Sequence, residues 1–155
     1  MSRLHLLFLA TICAAPSLHA QRVESNRYAA FPVEAAGGIA GSLIGAGAGL
    51  LILNKSCDSE DLVCDLTRAG LAISLATVGS AAGTVIAGRA GNTNPSTGGA
   101  IVGSLVGAAA GLGVVHLMTE ELNVAHGSTA ASILAFSITQ GLVTALGSRI
   151  FRAIR

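Results

Sequence analysis

From about residue 33 onward the chain alternates long apolar runs with short polar breaks. Four runs cover about 33–53, 66–88, 98–118 and 129–151. As α-helices they measure about 31 to 36 Å, enough to cross a hydrocarbon layer near 30 Å thick. The breaks are distinct: Asn54 to Asp65 is polar and acidic, Arg89 to Thr97 reads RAGNTNPST, and Thr119 to Ser128 is acidic and then Gly-Ser. Ser96 or Thr97 is placed to cap the third helix and Ser128 the fourth, while Arg149 and Arg152 suit the C-terminal pole of the last. The pattern predicts an all-α protein, a four-helix membrane bundle.

Within the runs, small residues recur at helical spacing. Gly41, Gly45 and Gly49 stand four apart in GGIAGSLIGAGAGL (37–50), and Gly103, Gly107 and Gly111 do so in GAIVGSLVGAAAGL (99–112). Positions four apart share a helix face, so each run carries a ridge without side chains. In water each such glycine costs about 1 kcal/mol relative to alanine. Close backbone packing in lipid is a compensating source of stability. The second run carries Ala72, Ala76, Ser80, Thr84 and Gly88, with Gly79 and Gly83 beside them; the fourth carries Ser137, Gly141 and Ala145. GxxxG-type packing is therefore expected at Gly41, Gly45, Gly49, Gly79, Gly83, Gly103, Gly107, Gly111 and Gly141. Leucine at Gly45 or Gly107 is expected to wedge helices apart, with alanine milder. Leu43, Ile44, Leu50, Leu51, Leu105, Val106 and Leu112 remain for lipid or an outer layer.

The two halves repeat at an offset of 62. Gly41-Ser42-Leu43-Ile44-Gly45 maps onto Gly103-Ser104-Leu105-Val106-Gly107, Thr77-Val78-Gly79 onto Thr139-Gln140-Gly141, and Asp58 onto Glu120. Two repeated helical hairpins, about 33–88 and 98–151, explain this economically.

Composition sharpens the membrane reading. The chain has 155 residues, 52% hydrophobic and only 11% charged, with twenty glycines and no tryptophan. Soluble domains carry about 25% charged residues, so much of this surface has no evident means of facing water. Such apolar content excludes disorder. A net charge of +1 and the lack of a basic or aromatic track leave no basis for nucleic-acid binding.

Residues 1–20 have the layout of a cleavable secretory signal: Arg3, an apolar stretch over Leu4 to Ala15, Pro16, and Leu18-His19-Ala20 before the cut. Residues 21–32 then form a polar N-terminal arm, and 33–155 the helical domain. Without Arg3 the mature chain has eight basic residues against eight acidic ones, and the connections sort by charge. Asp58, Glu60, Asp61, Asp65, Glu120 and Glu121 lie at one end; Arg89, Arg149, Arg152 and Arg155 lie at the other. For an inner membrane, positive residues belong in the cytoplasm, whereas signal cleavage places the C-terminus outside. Cys57 and Cys64, the two mature cysteines, would also fall in the cytoplasm, where a disulfide does not persist. Passage through the inner membrane to an outer one removes both conflicts. Weakly hydrophobic Gly, Ala, Ser and Thr spans favour that passage, because they halt poorly during insertion. The expectation is an outer-membrane location and a Cys57–Cys64 disulfide across the first hairpin, with free thiols the alternative.

Candidate chemistry is sparse. His116 and Glu120 share a helix face near Glu121 and His126, but a zinc site lacks third and fourth ligands. The glycines around 37–49 precede no Gly-Lys-Ser/Thr and follow no strand, so they are not a phosphate loop. Ser42 and Ser104 have no His–Asp partners for hydrolysis. Gln140, with Thr139 and Thr144, is the notable polar cluster inside a run, with interhelical hydrogen bonding or pore lining as its roles. No charged residue is at mid-run, which argues against an ion-coupled transporter. No enzyme activity, metal, cofactor or small-molecule substrate is expected.

The four-residue glycine ridges Gly41/Gly45/Gly49 and Gly103/Gly107/Gly111, behind a secretory signal, resemble those of glycine-zipper proteins of bacterial envelopes. The resemblance implies envelope residence and homo-oligomerisation. The expected function is that of a structural or self-associating membrane protein, with the lipid bilayer and further copies of itself as partners. A pore or permeability factor and a soluble exported helical oligomer are the alternatives.

Overall fold

The structure, a computed structural model, describes residues 30–53, 62–120 and 129–154. The signal segment, residues 21–29, Cys57, Asp58, Glu60, Asp61, Glu121, His126 and Ser128 lie outside the described residues. The described residues form four helices: α1 (Ala30–Leu53), α2 (Leu62–Ala90), α3 (Thr97–Glu120) and α4 (Thr129–Ala153). All four are long and apolar enough to cross a membrane. α1 begins three residues before the apolar run, with Pro32 in its first turn, where a missing N–H goes unnoticed. α2 begins four residues before its apolar run, at Leu62.

The helices run up-down-up-down. α1 packs chiefly on α2 and α3 chiefly on α4, and α1–α4 and α2–α3 contacts close the ring. α2 also touches α4 across the centre, whereas the described parts of α1 and α3 do not meet. The α2–α3 connection is sharply built. Asn92 N–H donates to Arg89 O (3.1 Å) and Thr93 N–H to Gly88 O (2.8 Å). Asn92 is left-handed at φ 55°. These are the two bonds of a Schellman stop, which caps the orphan carbonyls of α2. Pro95 then forbids further helix, and Ser96 Oγ accepts the Gly99 N–H at 3.2 Å, the N-cap of α3.

Glycines stand at the helix crossings. A methyl carbon built on Gly41 would collide with the Gly79 carbonyl oxygen, and one on Gly79 with that of Gly41. On Gly45 it would meet the Leu75 carbonyl, and on Gly49 it would lie 2.5 Å from Ala72 Cα. Gly37 and Gly83 oppose each other one turn further on. In the second pair, Gly103 faces Val143 and Thr144, Gly107 faces Gln140, and Gly111 faces Phe136, each with such a carbon 2.8 to 2.9 Å from its nearest neighbour. Gly99 and Gly147, not singled out by the sequence ridges, also oppose each other. Because the obstacles are largely main chain, alanine at Gly45 is not the mild change that spacing alone indicates.

The sequence repeat does not carry over position by position. Gly41 meets Gly79, but its counterpart Gly103 meets Val143 and Thr144, while Gly141 packs across hairpins against Gly38 and Ile39. Val78 is 67% exposed, whereas its counterpart Gln140 is fully buried. α4 is thus turned relative to its copy so that the amide faces inward.

Polarity is inverted relative to a soluble bundle. Ile44, Leu51, Leu105, Val106 and Leu112 are exposed, along with Val78, Ile86, Leu142, Leu146 and Ile150, while Leu43 and Leu50 are half-buried. Among the described residues, six of the seven buried hydrophobic ones are alanines. Buried polar side chains are Glu34, Ser42, Ser80, Thr84, Ser104, Ser137, Gln140, Thr144 and Ser148.

Open and closed glycines make opposite predictions. Gly41→Ala must displace main chain, so the thermal midpoint in detergent should fall by the equivalent of about 1–3 kcal/mol, the usual cost of overpacking. Gly47 has open space around it, so Gly47→Ala should leave the midpoint unchanged or raise it through helix propensity, by at most about 1 kcal/mol. Circular-dichroism melts of both variants check the pair.

Candidate functional site

Two polar assemblies occupy the bundle interior. The first is centred on Gln140, which α4 projects to the axis where the other three helices converge. Ser42 Oγ on α1 donates to Gln140 Oε1 at 2.7 Å. Gln140 Nε2 donates to Thr77 Oγ1 on α2 at 3.0 Å, and its second proton points to the Ser104 carbonyl on α3 at 3.4 Å. One amide thus bridges all four helices. Ser137 Oγ lies 3.2 Å from Ser42 Oγ. One turn along α4, the Thr144 hydroxyl donates to Gln140 O (2.7 Å) and lies 3.0 Å from Ser80 Oγ. Thr144 has then spent its only proton, so Ser80 is the donor between them. Thr77 in turn gives its own proton to Ile73 O at 2.7 Å. Thr139, expected beside Gln140, is half-buried.

The second assembly lies at the end where α1 and α3 begin and α2 and α4 stop. Glu34 on α1 is fully buried. Its Oε1 accepts the Thr93 hydroxyl from the α2–α3 turn at 2.6 Å. Arg152 Nη1 stands 3.8 Å from the same oxygen and donates to the Thr93 carbonyl. Arg149 Nε stands 3.7 Å from Glu34 Oε2, and its guanidinium lies over the Phe31 ring, 5.3 Å from the centroid. One carboxylate therefore ties the start of α1, the turn and the end of α4 together. The two arginines serve as more than partners of the α4 pole. Spacing alone passes over Glu34, yet the signal is present: Glu34, Gly38, Ser42 and Ala46 stand four apart and are all buried.

Below the Gln140 hub the interior turns apolar. Ala46, Ala76, Ala108 and Phe136 form a buried cluster, flanked by Ile73, Val115 and Ile133. The axis is thus polar in one half and closed by hydrocarbon in the other.

Of the nine glycines expected to pack, Gly41, Gly45, Gly49, Gly79 and Gly83 lie on the α1–α2 contact, Gly103, Gly107 and Gly111 on α3–α4, and Gly141 on α1–α4. Cys64 is half-buried near the start of α2; its expected pairing with Cys57 involves a residue outside the described set. His116 is exposed, and no group of three metal-ligating side chains occurs among the described residues. Protein-family models, curated proteins and solved structures give no match to the chain.

Gln140→Met keeps the volume and removes three interhelical contacts. At about 0.6 kcal/mol for each such contact in a membrane bundle, the loss should be about 2 kcal/mol, read from unfolding in mixed micelles. Glu34→Ala should likewise destabilise, since it leaves two guanidiniums facing each other without their carboxylate. Arg89→Ala, at an exposed position, should not.

Proposed function

We propose that this chain is a non-enzymatic, integral membrane protein of a bacterial envelope, built to pack its helices closely and to self-associate. The observation that carries this reading is the inverted polarity: large hydrophobic side chains are exposed all round the bundle, while serines, threonines, a glutamine and a glutamate fill its axis. A soluble monomer rarely exposes contiguous apolar patches above a few hundred Å², and lipid is the solvent that such a surface fits. Glycine contact at the crossings supports GxxxG-type packing as the source of helix affinity, because main chains approach closely only where side chains are missing. The 62-residue sequence repeat supports origin from a duplicated hairpin, with α4 since turned inward at Gln140.

On this reading residues 1–20 are removed after export, Cys57 and Cys64 close the first hairpin, and the protein resides in the outer membrane as a homo-oligomer. The outer membrane is preferred because it reconciles a cleaved signal with the basic C-terminal end. A pore is the second reading, favoured by the buried polar row from Glu34 to Gln140. The Phe136 layer opposes it by closing the axis.

Fractionation tests the main reading. After separation of inner and outer membranes and carbonate washing, the protein should stay in the outer-membrane pellet, and short-arm cross-linking there should give multiples of the chain mass. Release into the carbonate supernatant would exclude an integral protein. Retention in the inner membrane would overturn the outer-membrane assignment alone. Steady conductance in planar bilayers would favour the pore.

A further inference from the structure

Among the described residues, three buried oxygens at the Glu34 end have no hydrogen-bond partner: Glu34 Oε2, Thr84 Oγ1 and Ser148 Oγ. All three residues are fully buried. Their positions are linked by register. Thr84 stands one turn beyond Ser80 on α2, and Ser148 one turn beyond Thr144 on α4, so both continue the Ser80–Thr144 pair towards the same end. A methyl carbon on Gly38, one turn along α1 from Glu34, would lie 2.6 Å from Thr84 Oγ1. The three oxygens thus fall within about one or two helical turns, each turn near 5.4 Å.

Buried hydroxyls and carboxylates are nearly always hydrogen-bonded, and those that lack protein partners are generally served by ordered water. The ion pairs point the same way. Arg149 and Arg152 stand 3.7 and 3.8 Å from the Glu34 carboxylate, as ion pairs too long for direct hydrogen bonds, so neither supplies the bond that Oε2 lacks. Arg149 and Arg152 are themselves partly exposed at this end, with 26% and 35% of their side-chain surface accessible, so the aqueous phase reaches the site.

We propose that Glu34 Oε2, Thr84 Oγ1 and Ser148 Oγ hold a short file of water molecules. The file enters beside Arg149 and Arg152, joins the Thr144–Gln140 hub, and ends blindly at the Phe136 layer. The ligand class is water itself, and the inference rests on the membrane reading above, since a bilayer leaves the bundle end as the route in. The column gives the embedded half of the bundle a hydrated interior without making it a through-pore.

Water-edited solid-state NMR on the labelled full chain in lipid bilayers tests this. Magnetisation from water should reach Thr84, Ser148 and Glu34 several-fold faster than Ala108 and Phe136. In the Thr84→Val/Ser148→Ala double variant, transfer to Thr144 and Gln140 should fall to the Phe136 level while helical chemical shifts persist. Thr84→Ser, which retains the hydroxyl, should behave as wild type and guards against a folding defect in the double variant. Transfer to Thr84 and Ser148 as slow as to Phe136, or unaltered by the double variant, would overturn the column. Fast transfer to the exposed Leu105 and Leu142 would instead overturn the membrane reading, so the two failures are distinguishable.

Discussion

Everything in this bundle depends on how closely two main chains approach when nothing projects between them. Between helices in hydrocarbon there is no hydrophobic drive, because lipid tails are as apolar as leucine. Dispersion must then supply much of the attraction, and it decays over fractions of an ångström. Gly41 against Gly79, Gly37 against Gly83, and Gly99 against Gly147 remove the atoms that would hold the backbones apart. The consequence reaches the axis. With Gly141 packed on Gly38 and Ile39 as well, side chains as short as Ser42 and Ser80 reach partners on α4 directly, at 2.7 and 3.0 Å.

That narrow axis is divided. Towards the start of α1 it is lined by Glu34, Thr84, Ser80, Thr144 and Gln140; towards the other end it is filled by Ala46, Ala76, Ala108 and Phe136. A buried carboxylate is expensive unless it is compensated, and Glu34 is tolerated because Thr93 bonds it and two guanidiniums stand beside it. The same contacts close the fold, since Arg152 also grips the α2–α3 turn whose Schellman stop presents Thr93. Polar chemistry at this end and mechanical closure of the bundle are one set of bonds.

The parts legible in the sequence were those with a strict period. Four apolar runs, a cap at Ser96 or Thr97 and the Pro-containing break follow from spacing and local residue chemistry, and the four helices cover those runs, with α1 and α2 beginning three and four residues early. What spacing could not yield was rotation about each helix axis. The repeat equates Gln140 with Val78, yet one is buried and the other faces outward. A carboxamide in hydrocarbon requires partners, whereas valine requires none, and this difference turns α4 away from its copy. It also sends Gly141 to α1 instead of α3. Glu34 was hidden for a related reason: its partners lie about sixty and more than a hundred residues away, in Thr93, Arg149 and Arg152, and no local pattern announces them.

This rotation bears on why a bundle of bare ridges has one structure at all. Glycine ridges are nearly featureless, and a helix that slides one turn along such a ridge loses little contact. Hydrogen bonds do not slide so freely. A turn's displacement of α4 would move the Gln140 amide away from Ser42, Thr77 and the Ser104 carbonyl together, leaving buried donors and acceptors without these partners. The glycines supply affinity without register, and the glutamine supplies register with modest affinity. A single polar residue that fixes alignment in an otherwise permissive interface is the best-attested use of buried polarity, and here one side chain aligns three neighbours at once.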